Sequence, residues 1–354
     1  MAVEIRDCRE DETADLQLFF GEVYHEGYVL KRLPKLFAWQ FGSNPGGVDV
    51  DLHVLLALVD GKLVGCLGYI PADVTLSGKT KTGAWTANWM VAAKWRFFGL
   101  GPKLMSELFR RFDVVMPVGL NQDAREVLLR MGCTDFGELK RHVCVLDRDS
   151  ATELTEGGVL DWPTAGFDKG IGYGRSASLE AKIPAESTEL WERVWGNGGC
   201  GARRTAEMLT WRYVDHPVLS YRVLAMTGGG ALEGLAVYRV EPVRGLDARV
   251  GRIVELIAGS EMIDPLLTSL VADAREQSVA MLDFFAASER FDEPMAAAGF
   301  VSGEATRQIP VLYQPIDHRR AGIAWMAHTA GGESLPPARD WYVTKGDGDQ
   351  DRPN

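Results

Sequence analysis

The run Arg96-Phe97-Phe98-Gly99-Leu100-Gly101 opens onto a helical pattern, Pro102 to Leu108, and follows a strand-like stretch, Trp85 to Val91. Strand, glycine turn and helix N-terminus together make an anion site. Glycine lets the backbone approach a phosphate closely, and the first helical N–H groups point at it with the positive end of the helix dipole. Arg96 adds a cation at the lip. Pro102 is expected at the first helical position, where the missing N–H would have had no partner. The spacing excludes two common nucleotide loops. A dinucleotide fingerprint needs Gly-x-Gly-x-x-Gly, and Leu104 stands at the third glycine; a P-loop needs Gly-Lys-Ser/Thr, which the loop lacks.

The elements that must hold this loop are readable around it. Leu16, Phe19, Phe20, Val23 and Tyr24 recur at helical spacing and place one long helix or two short ones within 9–36. His53 to Val59 and Lys62 to Tyr69 read as strands about the hairpin signal Asp60-Gly61, and Lys79 to Val91 completes an antiparallel meander. Phe112 to Gly119 reads as a further strand, Asn121 to Gly132 as a helix stopped by glycine, and Val143 to Asp147 as a closing strand. Trp85 and Trp89 alternate with Ala84 and Asn88, which predicts one aromatic strand face.

At 354 residues the chain exceeds one ordinary core, and two domains are expected. Its 46% hydrophobic and 25% charged residues are those of a globular protein. A net charge of −11 argues against nucleic acid or an anionic membrane surface as partner. No apolar run has the length of a membrane span, and Met1 to Asp7 is no signal peptide. The five cysteines and six histidines have no metal-ligand spacing, so no metal is expected, and a cytoplasmic location fits free thiols.

The second half repeats the first. Leu36 to Pro45 matches Met208 to Pro217 with Trp39 aligned to Trp211, and the hairpin Asp60 to Gly65 matches Gly229 to Gly234. Trp39 and Trp211 are each expected to pack within their own half. Residues 1–150 therefore read as one lobe, 151–170 as a linker, 171–315 as a second lobe and 316–354 as a tail. The tail's paired aromatics, Trp341 and Tyr342, suggest that it folds back on the body. In the second copy the loop after Arg252 to Ile257 reads Ala258-Gly259-Ser260-Glu261-Met262-Ile263-Asp264-Pro265, with one glycine, no cation and two acids that repel phosphate. One anion site per chain is expected. The cluster Gly196 to Gly201 follows no strand and reads as a connection.

With helix, meander, glycine loop and helix in that order, the chain resembles the GCN5-related N-acetyltransferase superfamily. That family writes the loop Val-x-Pro-x-Tyr-Arg-Gly-x-Gly-x-Gly/Ala, where this chain has Val91-Ala92-Ala93-Lys94-Trp95-Arg96-Phe97-Phe98-Gly99-Leu100-Gly101. Downstream the family's Asn-x-x-Ala is matched by Asn121 and Ala124. The resemblance implies a mixed-sheet α/β fold in two tandem lobes, the second degenerate. It implies acetyl-CoA as cofactor, its pyrophosphate held by Arg96, Phe97, Phe98, Gly99, Leu100 and Gly101. Its pantetheine arm would pair with the backbone of Val91 and Ala93, with Asn121 near the thioester.

The implied reaction is transfer of the acetyl group to the amine of a small acceptor, a nucleotide-linked amino sugar being favoured by the tail's likeness to tandem-lobe acyltransferases of surface-polysaccharide synthesis. An amine must lose a proton to attack, and Glu22, His25 and Asn88 are the candidates to take or relay it. Where many relatives carry the tyrosine that protonates the departing thiolate this chain has Leu128, so an acid would come from elsewhere. The rival readings are a mycothiol-synthase-like transferase, an aminoacyl-tRNA-dependent ligase, which the net charge disfavours, and a CoA-sensing module without catalysis.

Overall fold

A computed structural model describes residues 2–156, 158, 160, 162, 176–318 and 322–353. The first half runs β1 (Val3–Cys8), α1 (Thr13–Val23), α2 (Val29–Arg32), α3 (Pro34–Gly42), β2 (Leu52–Val59), β3 (Lys62–Leu76) and β4 (Lys79–Val91). It continues through α4 (Leu100–Arg111), β5 (Val114–Met116), α5 (Gln122–Arg130) and β6 (Thr134–Glu138). Asp60 and Gly61 both have positive φ, the backbone that a tight right-twisting hairpin demands. Every residue of β2 is buried, because the sheet is covered on both faces. Leu100, Leu104, Met105 and Leu108 of α4 pack on one face against Leu55, Ala57 and Tyr69. Leu16, Phe19 and Phe20 of α1, with Leu36 and Phe37 of α3, cover the other.

The second half holds β7 (Lys140–Val145), α6 (Arg148–Glu153), β8 (Ser178–Glu180), α7 (Ser187–Trp191), β9 (Gly201–Ala202), α8 (Ala206–Leu209), β10 (Arg222–Gly228) and β11 (Ala231–Pro242). Then come β12 (Arg249–Ala258), α9 (Ser260–Glu276), β13 (Met281–Ala286), α10 (Asp292–Ala297), β14 (Val301–Ser302), a small hairpin of β15 (Leu312–Tyr313) and β16 (Ile316–Asp317), and β17 (Ala324–Thr329). The first sheet has the order β1-β2-β3-β4-β5-β17-β6, with β9 paired to β3; the second has β14-β7-β13-β12-β11-β10-β8. Both sheets are mixed: β4 and β5 are parallel, as are β12 and β13, amid antiparallel neighbours.

The halves exchange strands. Val143 to Asp147, expected to close the first sheet, belongs to β7 and the loop after it, and β7 pairs with β13 and β14 in the second. In its place β17, from the expected tail, inserts between β5 and β6. A boundary at residue 150 thus cuts across both sheets. Nearness in sequence suggested the wrong pairing, since a strand can satisfy its N–H and C=O groups on any available sheet edge. The expected linker 151–170 overlaps helix α6, and Leu154, Leu160 and Trp162 are buried against Val143 and Val145. Residues 163–175 lie outside those described. The Gly196 to Gly201 cluster is a connection that delivers β9 to the edge of β3.

Trp39 and Trp211 do not pack within separate halves. Their rings stack at 4.6 Å, and each indole N–H donates to the other residue's carbonyl, at 3.0 and 3.3 Å. The two residues matched in the sequence thus meet one another, each donating to the other's backbone.

Residues 341–349 run buried between the halves as a strap. Its acids answer buried arginines. Asp347 and Glu255 flank Arg204, while Tyr213 and Tyr342 donate to Glu255. A second chain of charges alternates in sign: Arg141, Asp283, Arg252, Glu241, Arg239 and Asp351, linked at 2.6 to 3.2 Å. Buried charges persist only when paired in this way. Lys345 lies beside this balanced row, 5.2 Å over the Phe285 ring; burial first, then Arg252, lowers its pKa to about 7.

Candidate functional site

The sheet opens where β4 leaves β5. The two pair only over Gly83–Trp85 and Val114–Met116. Beyond, Thr86 to Val91 form one wall of a cleft of about 610 Å³, and Val118 to Asn121 form the other. A β-bulge aims the first wall. Gly68 pairs with Ala87 and Cys66 with Met90, so Asn88 and Trp89 together oppose Leu67. Asn88 takes the left-handed conformation, φ 54°, which Asn tolerates better than most residues. The extra residue reverses the alternation. Trp85 packs with the α1/α3 face and Trp89 with the α4 face, so the expected single aromatic face is not formed.

The glycine loop follows the first wall directly, and Arg96 is the residue of the loop that lines the cleft. Ala93–Phe98 form a 3-10 turn without a buried residue, and Gly99, φ 69°, caps α4. The first-turn N–H groups of α4 have no acceptor within the helix and face outward. Pro102 occupies the third helical position rather than the first; the donor it lacks is still one of those unpaired in the first turn. The Trp89 indole N–H donates to the Gly101 carbonyl at 3.2 Å, and a Cβ on Gly101 would lie 3.3 Å from that ring. Arg96 lines the cleft and folds back, its Nε donating to the Val91 carbonyl at 3.1 Å. Lys94 and Lys103 are exposed on the two flanks of Gly99. Ala93, Phe97, Phe98, Gly99, Leu100 and Gly101 do not line the cleft; Phe97 is 97% exposed. Leu100 is in the core, and its contribution to the loop is backbone only.

Further lining comes from segments far apart in sequence: Val23, Tyr24 and Tyr28 from α1 and the turn after it, and Asp349, Gln350 and Arg352 from the strap. Tyr28 joins them. Asn88 Nδ2 donates to its hydroxyl in a short hydrogen bond, and Arg352 Nη1 donates to the same oxygen at 3.3 Å. Arg352 also holds Asp349 at 2.5 Å, and the Gln350 amide donates to the other Asp349 oxygen at 2.9 Å. Gly119, φ 72°, admits the strap, because a Cβ there would lie 2.4 Å from the Gln350 amide. Burial pushes the Tyr28 phenol up to about 12.

Of the residues expected at the site, Asn88, Val91, Arg96 and Asn121 line the cleft. Asn121 Oδ1 is engaged as the N-cap of α5, accepting from Ala124 N at 2.9 Å. Glu22 and His25 are exposed outside it. The last turn of α1 presents Val23 and Tyr24 to the cleft instead, a phase that the helical pattern alone left free. Leu128 is wholly buried among α4 and sheet residues and faces no cleft. Tyr24, Tyr28, Asp349, Gln350 and Arg352 escaped the sequence reading. Their signals were two tyrosines four apart and a tail in which Asp347, Asp349 and Asp351 alternate with Gly348, Gln350 and Arg352. In the second half, Gly259 caps α9 with extended backbone, φ −63°, so the left-handed cap of the first loop is absent at this described turn.

No protein-family model matches the chain, and no curated protein matches it by sequence. Solved structures do match it in shape. A GCN5-related N-acetyltransferase from Anabaena variabilis aligns at TM-score 0.58 and 12% identity, over 93% of this chain and 73% of that one. A probable N-acyltransferase from Enterococcus faecalis aligns equally well, TM-score 0.58 and 12% identity, over 93% and 72%. N-myristoyltransferase from Saccharomyces cerevisiae, solved with bound myristoyl-CoA, aligns at TM-score 0.56 and 13% identity over 96% and 87%. With its split sheet, its bulged β4 and its glycine-capped α4, the chain has the fold of the GCN5-related N-acetyltransferases.

Proposed function

We propose that the protein is an N-acyltransferase that moves an acetyl group from acetyl-CoA to a small primary amine. The observation that carries this reading is the cleft itself, open between β4 and β5 and lined by Arg96 of the glycine loop together with Tyr28, Asn88 and Asp349. A pyrophosphate at the helix N-terminus would neutralise Lys94, Arg96 and Lys103, and the pantetheine arm would run down β4 from Val91 toward Asn88. Asp349 and Asp123 are the carboxylates lining the cleft, and Asp349 is the one joined to Tyr28 through Arg352. It takes the role first given to Glu22 and His25, accepting the proton of the attacking amine. A nucleotide-linked amino sugar is the acceptor to assay first, because Tyr24 offers a half-exposed ring beside the cleft for stacking.

The test is calorimetric titration of the protein with acetyl-CoA, followed by thiol release in the presence of amino-sugar nucleotides and simple amines. Arg96→Glu is expected to weaken acetyl-CoA binding by about 10- to 100-fold, the worth of a charge-assisted contact to phosphate. Unchanged affinity in that variant, or no binding by the wild type, overturns the reading.

A further inference from the structure

We propose that Tyr28 is the group that stabilises the departing CoA thiolate, donating its O–H to the sulfur from the turn between α1 and α2. The inference deepens the acyl-transfer reading and rests on it.

A phenol has one donor and two acceptor lone pairs. At Tyr28 the oxygen accepts from Asn88 Nδ2 and from Arg352 Nη1, groups that can only donate there. Both lone pairs are therefore taken, and the O–H is left to donate. Its direction is constrained by packing. The ring is held edge-on by Phe20 at 5.7 Å and by Tyr24 at 4.8 Å, with the Arg352 guanidinium 5.8 Å from its centre. Only 3% of Tyr28 is exposed, yet it lines the cleft. The order of residues along β4 sets the order along the donor. With the pyrophosphate at Gly99 and the arm passing Val91, the thioester arrives at the bulge, where Asn88 presents Tyr28. Asn88 Oδ1 is itself buried without a partner, an acceptor free for an N–H of the bound substrate. Leu128, by contrast, is in the core and supplies nothing to the cleft.

In the step, the amine nitrogen forms the new C–N bond and the C–S bond breaks with its electron pair on sulfur. The Tyr28 O–H hydrogen-bonds that sulfur and keeps its proton, since burial holds the phenol well above a thiol. The proton shed by the amine passes to Asp349, and the sulfur later takes one from solvent.

The experiment needs only CoA. The thiol of protein-bound CoA is titrated by its thiolate ultraviolet absorbance in the wild type, Tyr28→Phe and Tyr24→Phe, with CoA binding checked by calorimetry in each. The groups packed around Tyr28 are Tyr24 and His25 beside it, Asn88 on β4, and Asp349 and Arg352 on the strap. All of these are common to the wild type and Tyr28→Phe, so their difference isolates the phenol. The bound thiol is expected to titrate about one pH unit lower in the wild type than in Tyr28→Phe. Arg352→Met serves as a second variant: it frees a lone pair, lets the O–H turn away, and should produce part of the same rise. Equal titration of wild type and Tyr28→Phe with CoA bound overturns the inference and leaves acyl transfer standing. A shift in Tyr24→Phe instead also overturns it. Failure of the wild type to bind CoA removes the function it rests on.

Discussion

At the scale of single residues, Lys345 is the one charge that the buried row does not balance. Three arginines, Arg141, Arg239 and Arg252, already meet three acids, Asp283, Glu241 and Asp351. A neutral lysine leaves that row electrically even, and burial with Arg252 nearby brings its pKa to about 7. The group's folded pKa is depressed below its unfolded value of about 10.4, so between those two values the unfolded chain binds more protons than the folded one. Stability attributable to Lys345 therefore rises with pH through that window. Compared with Lys345→Met, the wild type is expected to carry a constant deficit below about pH 7. That deficit should shrink by about 1.4 kcal/mol per pH unit above it. Urea unfolding of both proteins at several pH values reads this difference, and the buried cysteines and tyrosines, common to both, cancel.

At the scale of elements, the bulge in β4 decides which side chains reach the cleft. Asn88→Gly keeps the left-handed backbone and loses only the amide, so its fold should persist. Asn88→Val forces a β-branched side chain into φ 54° and should cost about 1–2 kcal/mol, measurable as a drop in thermal midpoint. The bulge also shows what local sequence could and could not tell. The glycine loop was legible because its information is contiguous: Gly99 and Gly101 mark a turn and a cap whatever the rest of the chain does. The meander was legible too, since Asp60-Gly61 sits between two apolar, strand-like runs. The face of Trp89 was not, because one inserted residue inverts a period of two and nothing in the spelling marks it. Glu22 and His25 were misplaced for a related reason. Near the end of α1, a small rotation exchanges Glu22 for Val23 and Tyr24 at the cleft, and tertiary packing sets it.

At the scale of the whole molecule, strand exchange and the strap tie the two halves of the chain together. The partners of β7 lie more than a hundred residues downstream, and those of Arg352 and Asp351 lie across the chain. Such pairings leave no mark in a local pattern, and an acid-rich tail reads as solvated until its buried arginines are found. The match of Trp39 to Trp211 was visible in the sequence, but not their meeting. That contact predicts a coupling. Trp39→Ala and Trp211→Ala should each destabilise by about 3–5 kcal/mol, and the double variant by less than the sum of the two. Chemical denaturation of the four proteins completes the cycle, and strict additivity would mean that the stacked pair is not an energetic unit.

The strap gives catalysis a place in time. During synthesis the glycine loop, Arg96 to Gly101, leaves the ribosome early, while Arg352 emerges some 250 residues later, on the order of half a minute at about 5–20 residues per second. Until then Tyr28 has one fixed partner instead of two, and the carboxylate beside it has not been made. On the proposed reading, a chain still being made has neither Asp349 nor the second partner of Tyr28, so acyl transfer would wait until that segment is in place.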